Sequence, residues 1–166
     1  MTVLIGLSIE GHSRVGIVHN PFLEGNHSVG QTIFGTAEHG AFRLHHDEKF
    51  TPEDILGREI EYLKPYDVEE QAPEDFKFRV ACTISHFSKD IKDIIETIAP
   101  VEIKRIGGAG NKCINVAIQN ADAYIHPSFG LKYWDLCASE VLIKAMGGYA
   151  TNMKEERLTY SIDGNR

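Results

Sequence analysis

Residues 101–119 read VEIKRIGGAGNKCINVAIQ and decide the fold class of this chain. The first part, Val101 to Ile106, alternates apolar and charged residues and predicts a strand. The last part, Gly110 to Gln119, has apolar residues at helical spacing and predicts a helix. A glycine-rich turn joins them. A strand that passes directly into a helix is the unit from which α/β folds are built.

The same alternation continues on both sides of this unit. Upstream, Phe78 to Thr83 predicts a strand, and a helix that Ser88 could cap ends at Pro100. Downstream, Ala123 to His126 predicts a strand and Asp135 to Met146 a helix, with Gly147 as its stop. We therefore predict an α/β fold with a mostly parallel sheet and helices on both faces.

The first 44 residues predict strands of a neighbouring sheet. Thr2 to Ile9 and Val15 to Val18 form a hairpin pattern, and 30–35 and 40–44 are two further short strands. Because a two-stranded hairpin is marginal alone, these strands need a larger sheet. The predicted organisation is strands in 1–44, an acidic segment in 45–77 and an α/β lobe in 78–166.

The acidic segment differs from its flanks. Residues 47–75 hold eleven acidic side chains against three basic ones, with three prolines. This predicts an exposed excursion, with one short helix from Pro52 to Tyr62. A calcium loop is the alternative, but the alternating acidic pattern with a central glycine is absent.

Charge and cysteine content exclude several classes of function. With 17 basic and 24 acidic residues the net charge is −7, so no global attraction to nucleic acid or to an anionic membrane is expected. An anionic ligand would need a cation, a helix N-terminus or one placed lysine.

Cys82, Cys113 and Cys137 lack CxxC spacing and predict buried, reduced thiols in a cytoplasmic protein. No signal-peptide pattern and no apolar run of about 20 residues is present.

Several short motifs could carry chemistry. Gly107-Gly-Ala-Gly-Asn-Lys112 is either a tight turn or an anion site at a helix start, and it is not a P-loop. Thr83-Ile-Ser-His86 ends a strand, where α/β proteins place ligands, although a histidine there is often structural. Asp135 is predicted as a helix N-cap, a metal carboxylate, or both.

Two further patterns have simpler explanations. Glu140 and Lys144 are four residues apart on the last predicted helix and predict a surface ion pair. Four other histidines show no metal-ligand spacing. These are His39, His45, His46 and His126.

Taken together, these segments resemble the second half of the 3′(2′),5′-bisphosphate nucleotidases of the inositol monophosphatase superfamily. The resemblance is carried by Val3-Leu-Ile-Gly6, Gly30-Gln-Thr-Ile-Phe-Gly35 and Trp134-Asp-Leu-Cys-Ala-Ser-Glu140, with the motifs at 83–86 and 107–112. It implies a layered α/β fold, Mg²⁺ as cofactor and hydrolysis of adenosine 3′,5′-bisphosphate to AMP and phosphate. It assigns Asp135 to the metal and Thr83, His86, Gly108 and Lys112 to the substrate.

The chain also departs from this family. The glutamate pair and the Asp-Pro-x-Asp-Gly-Thr motif of the family's first lobe are missing, since Glu69-Glu70 and Asp163-Gly164 stand in the wrong places. We therefore predict no complete catalytic set and little activity for the isolated chain, with self-association through the face that the first lobe would cover. The alternatives are an inositol polyphosphate 1-phosphatase and a non-catalytic nucleotide-binding module.

Overall fold

The computed structural model describes residues 2–23, 29–47, 49, 51–67, 76–83, 89–98, 101–127 and 130–161. The elements in chain order are β1 (Val3–Ile9), β2 (His12–Asn20), β3 (Val29–Thr36), β4 (Gly40–Asp47), a 3₁₀ turn (Pro52–Gly57), β5 (Glu61–Leu63), β6 (Phe78–Cys82), α1 (Lys89–Ile98), β7 (Val101–Arg105), α2 (Ala109–Ala117), β8 (Ala123–Tyr124) and α3 (Tyr133–Ala145).

The strands form two sheets. Strands β1 to β5 pair in sequence order as an antiparallel sheet, and β6 lies between β7 and β8 in a parallel sheet. The predicted parallel sheet and the separate amino-terminal sheet are both confirmed. The antiparallel sheet is the larger of the two, because its meander continues through β5.

Helices cover both faces of the parallel sheet, as the sequence predicts. On one face, Ile91 and Ile95 of α1 pack on Val80 and Cys82. On the other, Tyr124 packs against the cluster that contains the buried side of α2. Arg79 in β6 also binds Asp122 just before β8, with its Nη2 2.6 Å from Oδ1.

One face of the antiparallel sheet is closed by α3. Val18 and Ile33 share a buried cluster with Ala138 and Leu142 of the helix. The approach is closest at Gly16, where an added Cβ would overlap the carbonyl oxygen of Ala138. Only a residue without a side chain allows β2 and α3 to come this close.

The opposite face of the antiparallel sheet carries a row of apolar side chains. Five residues lie directly opposite one another across its strands, and we call the surface they define the open face. Within the described part of the chain the helices lie on the other face, and Ile5 and Tyr62 remain 60% and 54% exposed. The five residues that define the open face are Ile5, Ile17, Phe34, Phe42 and Tyr62.

Most of the described part of the acidic segment is exposed, as the sequence predicts, but its secondary structure differs from the prediction. The helix predicted from Pro52 to Tyr62 is wrong beyond Gly57, because Glu61–Leu63 form β5 at the edge of the first sheet. Leu63 is buried in the core, and Arg43 of β4 binds the Glu61 carboxylate at 2.8 Å. A three-residue strand between prolines is too short to give a periodic signal.

Helix α3 begins earlier and is buried more deeply than predicted. It starts at Tyr133 rather than Asp135 and ends at Ala145, and Gly147 follows the capping residue Met146 with a φ of 85° that suits glycine. The predicted Glu140–Lys144 ion pair is confirmed, with 2.5 Å between Lys144 Nζ and Oε1. It is not a surface pair, because the Glu140 side chain is 1% exposed and accepts a 2.7 Å hydrogen bond from Ser13 Oγ. The helix lies between the antiparallel sheet and α2, so more than one side of it is covered.

Residues near both ends of the chain are tied together. The Tyr160 N–H donates to the Gly11 carbonyl at 2.8 Å, and Ser8 Oγ donates to the Tyr160 carbonyl at 3.1 Å. The hairpin is therefore held by α3 and by the segment that follows it.

Two predictions about cysteines and membranes can be compared with the structure. Cys82, Cys113 and Cys137 are free and buried, as predicted. Among the described residues, none of the helices has the length and apolar character needed to cross a membrane.

Candidate functional site

The candidate site lies where the three parallel strands end. Thr83 follows β6, Gly107 follows β7, and His126 comes two residues after β8. The Ile106 N–H donates to the Cys82 carbonyl at 2.9 Å, which holds the first two strand ends together. Because parallel strands end at one edge, the residues that follow them share that edge.

The glycine-rich loop delivers the N-terminus of α2 to this edge. Gly108 is the residue that precedes the helix, with a φ of 77° that favours glycine, and no side chain caps the helix start. The N–H groups of the first turn therefore lack a side-chain acceptor, and the helix dipole favours negative charge there. The arrangement suits an anion.

Lys112 is buried rather than presented to solvent. The residue is 4% exposed, and its ammonium lies 5.0 Å from the centre of the Tyr124 ring. Burial lowers the pKa of Lys112, partly opposed by the Cys113 and Cys82 thiols. No carboxylate forms an ion pair with it in the described ranges. A buried ammonium without a counter-charge favours an anionic ligand.

Asp135 is not the N-cap that the sequence predicts. The helix starts two residues before it, so Asp135 occupies the third helical position and its Oδ2 accepts a 2.9 Å hydrogen bond from the backbone N–H of Lys132. The side chain still serves the helix start, because it reaches back to the capping residue. The other carboxylate oxygen, Oδ1, accepts no hydrogen bond within the described residues.

His126 has no metal-ligand spacing, and the sequence therefore gives it no functional assignment. Its Nε2 is buried and has no hydrogen-bond partner in the structure as described. Its ring centre is 6.1 Å from that of Tyr124. Burial and the Lys112 charge lower the pKa of His126, while Asp135 opposes them. The sequence does contain one signal for a role of His126 in the site. The residue follows the third parallel strand, as Thr83 and Gly107 follow the other two.

Other residues that the sequence singles out cannot be placed at the strand ends, because they lie outside the described part of the chain. His86 and Ser88 lie outside the described residues, as do Glu69, Glu70 and Asp163. Among described residues, no three histidine, cysteine or carboxylate side chains are grouped to hold a metal. One carboxylate does not make a magnesium site, so the side chains that the structure describes do not fit this ion by themselves.

A groove of about 610 Å³ lies away from the strand ends. It runs beside β1, and its walls include Tyr133, Trp134 and Tyr160. None of the residues at the three strand ends lines it, and its surface is mostly apolar. Lys132 is the one charged residue among the described residues that line it, whereas the strand ends combine a buried lysine with a helix N-terminus, so we place the candidate site at the strand ends.

Comparison with known proteins gives a consistent result. The chain is 35% identical over 164 residues to 3′(2′),5′-bisphosphate nucleotidase 1 of Rattus norvegicus. The aligned part covers 96% of this chain and 46% of the rat protein. It is 27% identical over 177 residues to inositol monophosphatase 3 of Danio rerio, covering all of this chain and 42% of that protein. The chain thus spans less than half the length of these relatives.

A solved structure and a family model match the chain as well. The crystal structure of CysQ from Bacteroides thetaiotaomicron, a bacterial member of the inositol monophosphatase family, superposes with a TM-score of 0.70 at 21% identity, over 96% of this chain and 57% of that one. Residues 1–164 match the inositol monophosphatase family. The chain therefore belongs to the inositol monophosphatase family.

Proposed function

We propose that this chain is the substrate-binding half of a magnesium-dependent phosphatase site for adenosine 3′,5′-bisphosphate, which yields AMP and phosphate. The observation that carries the proposal is the anion site at the strand ends: an uncapped helix N-terminus beside a buried, unpaired Lys112. The nucleotidase named among the relatives supports a nucleotide as the ligand.

The residues of this chain bind and orient the phosphate. The first-turn N–H groups after Gly108 and the Lys112 ammonium provide positive potential, and the Thr83 hydroxyl stands at the neighbouring strand end. His86 belongs to the same proposal by family resemblance. The Tyr124 ring beneath Lys112 keeps its ammonium in a site of low polarity, where its attraction for an anion is stronger than in water.

We propose that this chain contributes a single ligand, a carboxylate, to the metal. Bound magnesium would polarise the phosphate and the attacking water. Asp135 is the carboxylate that we assign to it. Because the described residues supply no second carboxylate at this place, we propose that the isolated chain does not catalyse hydrolysis at an enzymatic rate.

Calorimetry and phosphate release test this proposal together. The 166-residue chain is expected to bind AMP measurably without magnesium, and to release no phosphate above background from adenosine 3′,5′-bisphosphate with magnesium. Lys112→Met should weaken AMP binding about tenfold or more, because a charge-assisted hydrogen bond is lost while the apolar volume is kept. Lys92→Met on the exposed side of α1 is the matched control. Absence of AMP binding, or turnover at ordinary enzyme rates, would contradict the proposal.

An inositol polyphosphate 1-phosphatase is the alternative in the same class. The zebrafish relative is named an inositol monophosphatase, although its identity is lower, 27% against 35%. Titration with inositol 1-phosphate and with inositol 1,4-bisphosphate beside AMP separates an inositol phosphate site from a nucleotide site, since a site that recognises the base and ribose favours AMP. A cytoplasmic location, predicted from the reduced cysteines, remains part of this proposal.

We also propose that two copies of the chain associate through the open face. The row across the five strands holds no charged side chain, so two such faces meet without like-charge repulsion. Contiguous apolar residues that are exposed together are typical of interaction surfaces, and Ile5 and Tyr62 are 60% and 54% exposed.

Sedimentation equilibrium of charged variants tests the association. The unchanged chain is expected to form a dimer, and Ile5→Lys combined with Tyr62→Lys to give a monomer that keeps its circular dichroism spectrum. Tyr149→Lys, at a residue that is 91% exposed, is the control and should leave the dimer intact. A monomeric unchanged chain would refute the proposal.

A further inference from the structure

His126 contains a buried polar atom whose role the fold does not explain. Its Nε2 is shielded from solvent and has no hydrogen-bond partner in the described structure. Of the other such atoms, Ser139 Oγ lies within α3 and the Tyr160 hydroxyl belongs to the segment tied to the hairpin, while Glu140 Oε1 is paired with Lys144. His126 is the one at the strand ends. Buried polar groups without partners are rare and cost stability, so they often mark a ligand position.

The surroundings of His126 identify the class of ligand. The charged groups whose electrostatic effect reaches its ring are Lys112 in α2 and Asp135 in α3. The ring is also next to Tyr124, over which the Lys112 ammonium lies. His126 Nε2 thus shares this edge of the sheet with the Lys112 ammonium and the uncapped start of α2, and the ligand that these two would attract is an anion.

We propose that His126 is a substrate-binding residue, whose Nε2–H donates a hydrogen bond to a phosphate oxygen of the bound nucleotide. This inference rests on the proposed function and deepens it, because it gives the phosphate a third donor besides Lys112 and the N-terminus of α2. Two of the donors belong to α2 and the third follows β8, so they approach the phosphate from two parts of the chain and fix its orientation as well as its charge.

Two substitutions separate binding from folding. His126→Gln keeps an N–H donor at about the reach of Nε2, and His126→Phe keeps the ring shape without any donor. Removing an unsatisfied polar atom from a buried place is neutral or stabilising, so His126→Phe should unfold at the same temperature as the unchanged chain or a higher one. A merely structural histidine would instead lose stability in this variant.

Affinity is measured by calorimetry with AMP, without magnesium. His126→Phe is expected to weaken AMP binding about tenfold or more, and His126→Gln by about threefold or less, since a hydrogen bond to a charged group is lost only in the first. His45→Phe, on the exposed side of β4, is the control and should bind as the unchanged chain does. The His126 ¹⁵Nε2 resonance should also shift when AMP is added.

The outcomes distinguish this inference from the proposed function. If the unchanged chain binds AMP and His126→Phe binds it equally tightly, the inference is wrong and the proposed function stands. If the unchanged chain binds inositol 1-phosphate but not AMP, the proposed nucleotide is wrong, and the same variants tested with inositol 1-phosphate decide the role of His126. If the unchanged chain binds neither ligand, both proposals are wrong.

Discussion

Gly16→Ala is expected to destabilise the chain by about 3 kcal/mol, the upper part of the range for overpacking a core. The added methyl group would overlap the backbone carbonyl oxygen of Ala138, and a backbone atom in a helix cannot rotate away as a side chain can. The strand and helix must therefore separate, which loosens the packing of Val18 against Leu142. The urea midpoint should fall with little change in the slope of the transition.

Gly57→Ala is the matched control for this substitution. An added Cβ at Gly57 meets no atom within 4 Å, so the free energy of unfolding should change by about 0.5 kcal/mol or less. Equal effects at the two glycines would show that the contact between β2 and α3 is not as close as the structure has it.

Glu140→Ala is expected to cost about 3–5 kcal/mol, as breaking a buried ion pair does. The substitution leaves the Ser13 hydroxyl without its acceptor and removes the counter-charge of Lys144. It also opens a cavity beside β2, because the replaced side chain is almost fully buried. Since Lys144 is 39% exposed and can turn to solvent, the lower part of the range is expected.

The pair between Lys92 and Glu96 on α1 provides the comparison. It has the same spacing of four residues, but both side chains are 64% exposed. Glu96→Ala should therefore change stability by about 0.5 kcal/mol or less. Chemical denaturation of both variants at neutral pH measures the difference, and similar losses would contradict the buried position of Glu140.

The parallel sheet and its helices could be predicted because their patterns are long and regular. The apolar face of α1 and the glycine that ends α3 are local signals, and both agree with the structure. Strand β5 was missed, because three residues in an acidic surrounding show no periodicity. The burial of Glu140 was missed because spacing alone predicts that a pair forms and not what packs against it.

The candidate site was only partly predictable. Thr83 and Gly108 follow predicted strands, so their place at one edge comes from the parallel topology. The position of Asp135 in its helix was predicted wrongly, since Lys132 is not a typical N-cap residue and the true start was hidden. His126 lacks any spacing signal, and the burial of its Nε2 is a property of the folded structure that no local pattern predicts.

The tie between Tyr160 and the first hairpin bears on how the chain folds during synthesis. Gly11 accepts a hydrogen bond from a residue 149 positions later, and Ser13 bonds to Glu140 across 127 positions. Contacts this distant in sequence slow folding, because closing a long loop costs chain entropy before the contact can contribute any stabilising energy. On the ribosome, the amino-terminal sheet would emerge long before α3 is available to cover it. Its apolar strands are therefore exposed to aggregation or to chaperones during that interval.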